Sequence, residues 1–268
     1  MRLKYKLGWL PDIPDSRDVP FASLFRVSQR VPDGVDLRDE CSSIEDQGEL
    51  GSCTGQALVG ALEFLELKEL GPEAPFRFRD LSRLFVYFNE RKDMGTVQED
   101  SGAMLRVGIK TLKSDGVCRE ELWPYKIARF ASKPPDACYR EAAHHQVTAY
   151  QRLNTLSEMK SCLAMGLPFV FGFSVYEHVM SDVVAKTGKV KLPKKNERLL
   201  GGHAVVAVGY RDKSKSFIFR NSWGGKWGMQ GYGEIPYAYL ESRDLSDDFW
   251  CIQSTENNRY AAFRVDRG

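Results

Sequence analysis

Several common features are missing from this sequence. Over 268 residues no window approaches the roughly eighteen consecutive apolar residues of a membrane span, so no membrane partner is expected. Charge of one sign is also lacking. Lys and Arg number 38 against 36 Asp and Glu, for a net charge of +2, and the basic residues are scattered, which argues against a nucleic-acid partner. The cysteines at 41, 53, 118, 138, 162 and 251 include no Cys-x-x-Cys pair, which removes the usual zinc spacing, and so long a chain needs no disulfide staples. They are expected to be mostly free, buried thiols, with Cys118 and Cys138 the first pair to test for a bridge. No Asn-x-Ser/Thr acceptor occurs, and Met1 to Gly8 lacks the apolar core of a secretory signal. The expectation is a soluble protein, cytoplasmic or exported by a non-Sec route.

What is present is a change of character along the chain. Residues 1–31 are proline-punctuated and read as an extended arm separate from the core, with Gly8-Trp9-Leu10-Pro11-Asp12 at its centre. From Cys53, Leu58, Ala61, Leu62, Leu65 and Leu70 recur at helical spacing until Gly71-Pro72, predicting a helix over 53–70. Asp80 reads as the cap of a second helix over 80–90, and a third runs from about Ala103 to Lys113. After Lys133-Pro134-Pro135, β-type runs appear at 146–153, 168–175, 203–210, 216–220, 231–235 and 249–253, with one helix near 156–165. A helical half followed by a β-rich half predicts an α+β fold of two lobes. Residues 1–31 form an N-terminal extension, 32–140 a mainly helical lobe and 141–268 a β-rich lobe. The Lys-rich run 186–195 is expected to be a solvated loop.

Cys53 opens the first predicted helix, where unpaired N–H groups and the positive end of the dipole favour a thiolate. A thiolate nucleophile needs a base and a third group that holds the base in one tautomer. His203 sits at the mouth of an apolar strand in Gly201-Gly202-His203-Ala204, and Asn221 ends the next strand in Asn221-Ser222-Trp223-Gly224. A short turn between two strands can bring these side chains together. His144, His145 and His178 lack such company and are expected to face solvent or be locally satisfied.

Gln47 and Cys53, then Gly202-His203-Ala204-Val205 through Val208-Gly209-Tyr210, then Asn221-Ser222-Trp223-Gly224 followed by Trp227-Gly228 and Gly231-Tyr232, resemble the papain-like cysteine peptidase family in order and separation. Val31-Pro32-Asp33-Gly34-Val35-Asp36 resembles the mature start of such enzymes, and Trp123-Pro124-Tyr125 their Tyr-Pro-Tyr segment. The arm is similar to that of the bacterial xylellain-like members, and the likeness covers roughly residues 32–256. It implies a helical N-terminal lobe and an antiparallel, β-barrel-like C-terminal lobe with a cleft between them. It implies an endopeptidase in which Cys53 is the nucleophile, His203 the general base and acid, and Asn221 the residue that orients the imidazole. Gln47 and the Cys53 N–H would form an oxyanion hole, Trp223 would shield the His203–Asn221 bond, and a thioester acyl-enzyme would be the intermediate.

The resemblance further implies no metal or cofactor, protein or peptide substrates, proteinaceous thiol-protease inhibitors as partners, and a monomer. Substrate contacts carried over are Gly51, Ser52, Gly102, Gly172, Gly202, Trp223 and Glu256. Gly102 would pair with an extended substrate, Gly172 would line the main specificity pocket, and Glu256 at its floor would admit a basic side chain. Two positions depart from the family: Leu50 stands where a disulfide cysteine is usual, and Thr54 replaces a Trp, changing packing under the primed side of the cleft. Residues 1–31 are either a short pro-segment lying through the cleft or a permanent edge strand, since too few residues precede Val31 for a long helical pro-domain. The same residues could transfer the acyl group to an amine instead of water. A catalytically silent interaction protein is a further alternative, against which the intact Gln47, Cys53, His203 and Asn221 argue.

Overall fold

The computed structural model describes residues 5–28 and 30–253. In chain order it begins β1 (Trp9–Leu10), β2 (Gly34–Asp36), α1 (Cys53–Leu70), α2 (Ala74–Arg77), α3 (Arg83–Met94), β3 (Ala103–Met104), α4 (Leu105–Ser114) and α5 (Asp136–Ala142). It continues β4 (Ala149–Arg152), α6 (Leu156–Ala164), β5 (Phe169–Tyr176), α7 (Asp182–Thr187), β6 (Leu199–Arg211), β7 (Ser216–Arg220), β8 (Tyr232–Pro236), α8 (Tyr237–Leu240) and β9 (Ser246–Gln253). This is a two-lobed α+β architecture. Its β lobe is a sheet in the order β4-β9-β5-β6-β7-β8, with β2 added to β6, antiparallel throughout. Among the described residues the sheet does not close, so it is an open relative of the expected barrel. Residues 34–36, from the stretch read as helical lobe, lend it a strand.

Two boundaries differ from the sequence reading for reasons the hydrogen bonds supply. Ser82, rather than Asp80, caps α3, its hydroxyl accepting from Phe85 N at 3.1 Å, while Leu81 forms a bridge with Arg119. Ala103 and Met104 are extended because β3 pairs in parallel with β1, and the helix begins only at Leu105.

Helix α1 is buried on every side from Cys53 to Leu65, which makes it a central helix between the layers rather than an amphipathic surface one. Its polar side chains are therefore matched. Glu63 accepts from Arg83 at 2.6 Å, from the Ser42 hydroxyl at 2.5 Å and from Leu81 N at 2.9 Å. Thr54 donates to Glu90 at 2.8 Å, so it faces α3 and not the primed side of the cleft, contrary to the expectation from the family's Trp.

The arm is not separate from the core. Phe21 and Phe25 stack at 4.6 Å and are buried, Pro20 bridges Arg152, and Trp9 pairs with Ala103 and is 6% exposed. An extended segment without periodicity can bury alternate side chains wherever it finds a surface, which its proline content does not reveal. Asp12 ties it down: its carboxylate accepts from Arg106 N at 3.0 Å and Trp250 Nε1 at 2.9 Å. Asp18 pairs with Arg106 at 2.5 Å and with Arg152 at 3.4 Å. All six cysteines are free thiols, Cys41 half-buried and the others buried. No helix among the described residues is long and apolar enough to cross a membrane.

Candidate active site

Cys53 stands at the first position of α1, and β6 runs past it carrying His203. Asn221 follows β7, which pairs with β6 through Val206 and Arg220, so the register sets the two side chains side by side. His203 Nε2 lies 2.8 Å from Asn221 Oδ1. The Ser222 backbone N–H also meets Oδ1, at 2.8 Å, and because an N–H can only donate, that atom is the oxygen. Nε2 therefore carries the proton in the neutral ring, and Nδ1 is left as a bare acceptor. Nδ1 is buried with no hydrogen-bond partner among the described residues. The ring is sandwiched by aromatics: Trp223 stacks on it at 4.5 Å and Phe173 meets it edge-on at 5.7 Å.

Gln47 reaches the same place from the loop before α1. Its Oε1 accepts from the Ser222 hydroxyl at 2.7 Å, which turns Nε2 the other way, onto the carbonyls of Leu50 and Lys6, each at 2.9 Å. Lys6 belongs to the arm. Gly8 also passes close by, its carbonyl accepting from Ala103 N at 2.8 Å and its N–H reaching the Cys53 sulfur. Tyr5 stacks on Trp223 at 4.8 Å and 3°.

Burial decides the electrostatics. Burial pushes the Cys53 thiol up to about 12, outweighing the N–H groups of Ala204, Gly8 and Thr54 that point at the sulfur. Burial likewise pushes His203 down to about 4, against the Asn221 bond that acts the other way. The expected thiolate is thus corrected for this closed state: the helix start favours the anion, but a covered cleft has no water to solvate it.

The glycines named as substrate contacts do line the path of the arm. A Cβ on Gly172 would lie 1.9 Å from the Trp9 ring, and one on Gly202 would lie 2.4 Å from the Trp9 carbonyl. At Gly102, with φ of +76°, it would lie 2.2 Å from the Gly8 carbonyl, and a Cβ on Gly8 would strike the Gly51 carbonyl at 1.8 Å. Gly8, Gly102 and Gly202 need glycine because backbone meets backbone there, and Gly172 leaves the room that the Trp9 ring fills. Ser52 is different, since its hydroxyl turns away to Tyr125 at 2.6 Å. Glu256 lies outside the described residues. The carboxylate that does face the Gly172 pocket is Asp248, which accepts from Trp9 Nε1 at 3.0 Å and from Asp12 N at 2.8 Å. Sequence reasoning missed Trp9 and Asp248 as cleft residues, and it noted Asp100 only as the start of the Asp100-Ser101-Gly102 segment that resembles the family's Asn-Gly-Gly. Trp9 had a signal, an aromatic in the extended Gly8-to-Pro11 stretch; Asp248 had none. The other histidines are locally satisfied or exposed: His145 lies 2.7 Å from Glu66, His178 2.6 Å from Glu197, and His144 faces solvent.

Comparison with known proteins agrees with this arrangement. The family model described as papain family cysteine protease matches residues 31–243. The chain belongs to the papain family of cysteine proteases. It is a cysteine peptidase, and hydrolysis of protein substrates is the family's chemistry. Among solved structures it is similar to xylellain, a cysteine protease from Xylella fastidiosa, at 39% identity and a TM-score of 0.83, covering 95% of this chain and 98% of that one. It is 40% identical over 271 residues to the peptidase C1-like protein L477 of Acanthamoeba polyphaga mimivirus, covering 92% of this chain and 86% of that protein. It is also 27% identical over 217 residues to the probable cysteine protease RD21B of Arabidopsis thaliana, covering 77% of this chain but only 42% of that protein.

Proposed function

We propose that this protease is an endopeptidase working through Cys53, His203, Asn221 and Gln47, and that residues 5–12 hold it inactive. His203 Nδ1 takes the proton from the Cys53 thiol, and the thiolate attacks the scissile carbonyl carbon. Charge moves onto the carbonyl oxygen, which accepts from Gln47 Nε2 and the Cys53 N–H. The intermediate collapses as the C–N bond breaks, and the imidazolium returns its proton to the leaving amine. Water, deprotonated by the same Nδ1, then hydrolyses the thioester. Asn221 keeps the proton on Nε2 throughout, and Trp223 covers that bond.

The observation that carries this reading is the Lys6 carbonyl lying 2.9 Å from Gln47 Nε2, a backbone carbonyl in the seat the oxyanion would use. It favours an inhibitory arm over a permanent edge strand. The residue in the Gly172 pocket, Trp9, follows Lys6 in the chain, whereas a substrate's pocket residue would precede its scissile carbonyl. The arm thus runs opposite to a substrate, and the carbonyl beside the thiol is not presented for cleavage. In the test, the full chain is compared with its Cys53→Ala and Trp9→Ala variants on an internally quenched peptide. Hydrolysis is expected to vanish in the first and to rise in the second. Turnover retained by Cys53→Ala would overturn the nucleophile assignment, and an unchanged rate in Trp9→Ala would overturn the inhibitory one.

A further inference from the structure

Asn221 has one unused end. Its Oδ1 is taken by His203 Nε2 and the Ser222 N–H, both at 2.8 Å, while its Nδ2 is buried with no hydrogen-bond partner among the described residues. Gln56, which follows Cys53 by three residues on α1, shows the complementary lack: its Oε1 is buried and equally unpartnered. The Gln56 side chain also faces the Tyr125 hydroxyl, which donates to the Gln47 carbonyl at 3.0 Å and so only accepts from its other neighbours. That contact suits the NH2 end of the amide and leaves Oε1 for another donor. Asn221 and Gln56 line one cavity of about 10 Å³, together with Glu45, Arg220 and Ser222. A donor and an acceptor thus open on room for one water, with further polar groups around it. No residue of the arm lines this cavity, so it belongs to the body of the protein whether the arm is docked or not.

We propose that Gln56 is a positioning residue for the reaction: one water in this cavity accepts from Asn221 Nδ2 and donates to Gln56 Oε1, fixing which end of the Asn221 amide meets His203. This rests on the reading of Cys53, His203 and Asn221 as the catalytic triad. The two ends of an amide have nearly the same shape, and only their hydrogen bonds tell them apart. Turned over, Asn221 would present an N–H to His203 Nε2, move the ring proton to Nδ1 and leave the thiol without a base. The Ser222 N–H holds the oxygen end of the amide. The bridged water holds the nitrogen end, where a buried donor left bare is costly. Gln56 touches no reacting atom and acts only through Asn221.

The test is a double-mutant cycle in the chain carrying Trp9→Ala, to free the cleft, with kcat/KM read on the internally quenched peptide. Gln56→Met keeps length and volume but has no oxygen to accept from the water; it is expected to lower kcat/KM by about tenfold where Asn221 is intact and by less than about twofold in the Asn221→Ala background. Gln56→Glu keeps an acceptor oxygen and should stay within about threefold of its parent. Equal losses in both backgrounds, or a folded Gln56→Glu protein that loses as much as about tenfold, would overturn the role of Gln56. An Asn221→Ala protein as active as its parent would overturn the triad reading instead, as would a Trp9→Ala chain that hydrolyses nothing. A second measurement needs no turnover. In the full chain with isotope-labelled histidine at neutral pH, ring-nitrogen NMR should show His203 protonated at Nε2 and bare at Nδ1, and Gln56→Met should draw the two shifts toward each other as the other tautomer appears. Unchanged ring shifts in a folded Gln56→Met protein would overturn the proposal.

Discussion

The cleft and the anchor of the arm are both buried and polar, yet they are built in opposite ways. In the anchor, Asp12, Asp18, Asp247 and Asp248 face Arg106 and Arg152, and carboxylate oxygens have donors within about hydrogen-bond range, such as Arg152 to Asp247 at 2.8 Å and to Asp248 at 3.1 Å. In the cleft, His203 Nδ1, Asn221 Nδ2 and Trp223 Nε1 are buried with no hydrogen-bond partner among the described residues. Buried polar atoms are normally matched, because leaving one unmade sacrifices about 1–3 kcal/mol. In the cleft the open atom that matters is His203 Nδ1, an acceptor left without a partner beside the thiol's helix, whereas in the anchor the matched carboxylates hold structure. The difference teaches which of two similar-looking polar clusters carries chemistry.

The sharpest way to break this contrast is to exchange the expected phenotypes. Cys53→Ala should lower kcat by about a million-fold, with thermal stability nearly unchanged, as activity and melting curves on the same preparation would establish. Gln47→Ala should lower kcat by about 10²–10³-fold, or roughly 2.7–4 kcal/mol of transition-state stabilisation. In the anchor the pattern reverses. Asp12→Ala leaves Trp250 Nε1 and Arg106 N without their acceptor and removes a charge from the cluster, so it should lower stability by about 3 kcal/mol in denaturant titration. An Asp12→Ala protein that melted like its parent would show the anchor to be ornamental.

The smallest predicted effect concerns pH. Burial, then the neighbouring Asp12 carboxylate, raises Asp248 to about 7, so docking of the arm takes up a proton there; that contribution is full below about 3.8 and is lost as pH rises through about 7. His203 is lowered to about 4, so docking releases a proton from it, and its contribution is present above about 6.5 and lost as pH falls through about 4. Asp12, on the arm itself, is raised by burial too and acts with Asp248, so the two carboxyls oppose His203 over the same range. Removing one of them in Asp248→Asn should therefore shift docking toward weakening on acidification. Hydrogen exchange at Ala103 N, which is bonded to Gly8, corrected for its intrinsic pH dependence, reads this directly.

Much of the cleft was legible in the sequence because its signals are local. Cys53 before an apolar periodic run, His203 at a strand mouth and Asn221 after the next strand each sit where a short-range pattern ends. The fold class followed from the helical and β-type halves. The path of the arm was not legible, since Trp9 and Asp248 are 239 residues apart and an extended chain has no periodicity to betray which face it buries. The thiol's protonation was misjudged for the same reason: the helix start was visible, and the segment covering it was not. Asp100 and Asp248 differ from ordinary surface aspartates only in what the fold brings against them.

The central claim is that the arm covers an otherwise competent thiol. Trp9 contributes about 3–5 kcal/mol of burial and packing to the closed state, so its loss should raise a small open fraction by roughly 10²–10⁴-fold. The direct measurement is the rate at which an epoxide-type thiol inhibitor labels Cys53 in the full chain and in its Trp9→Ala variant, followed by intact mass at neutral pH. Slow labelling of the full chain and labelling at least about tenfold faster in the variant is the predicted result. Equal rates in the two proteins would contradict the account.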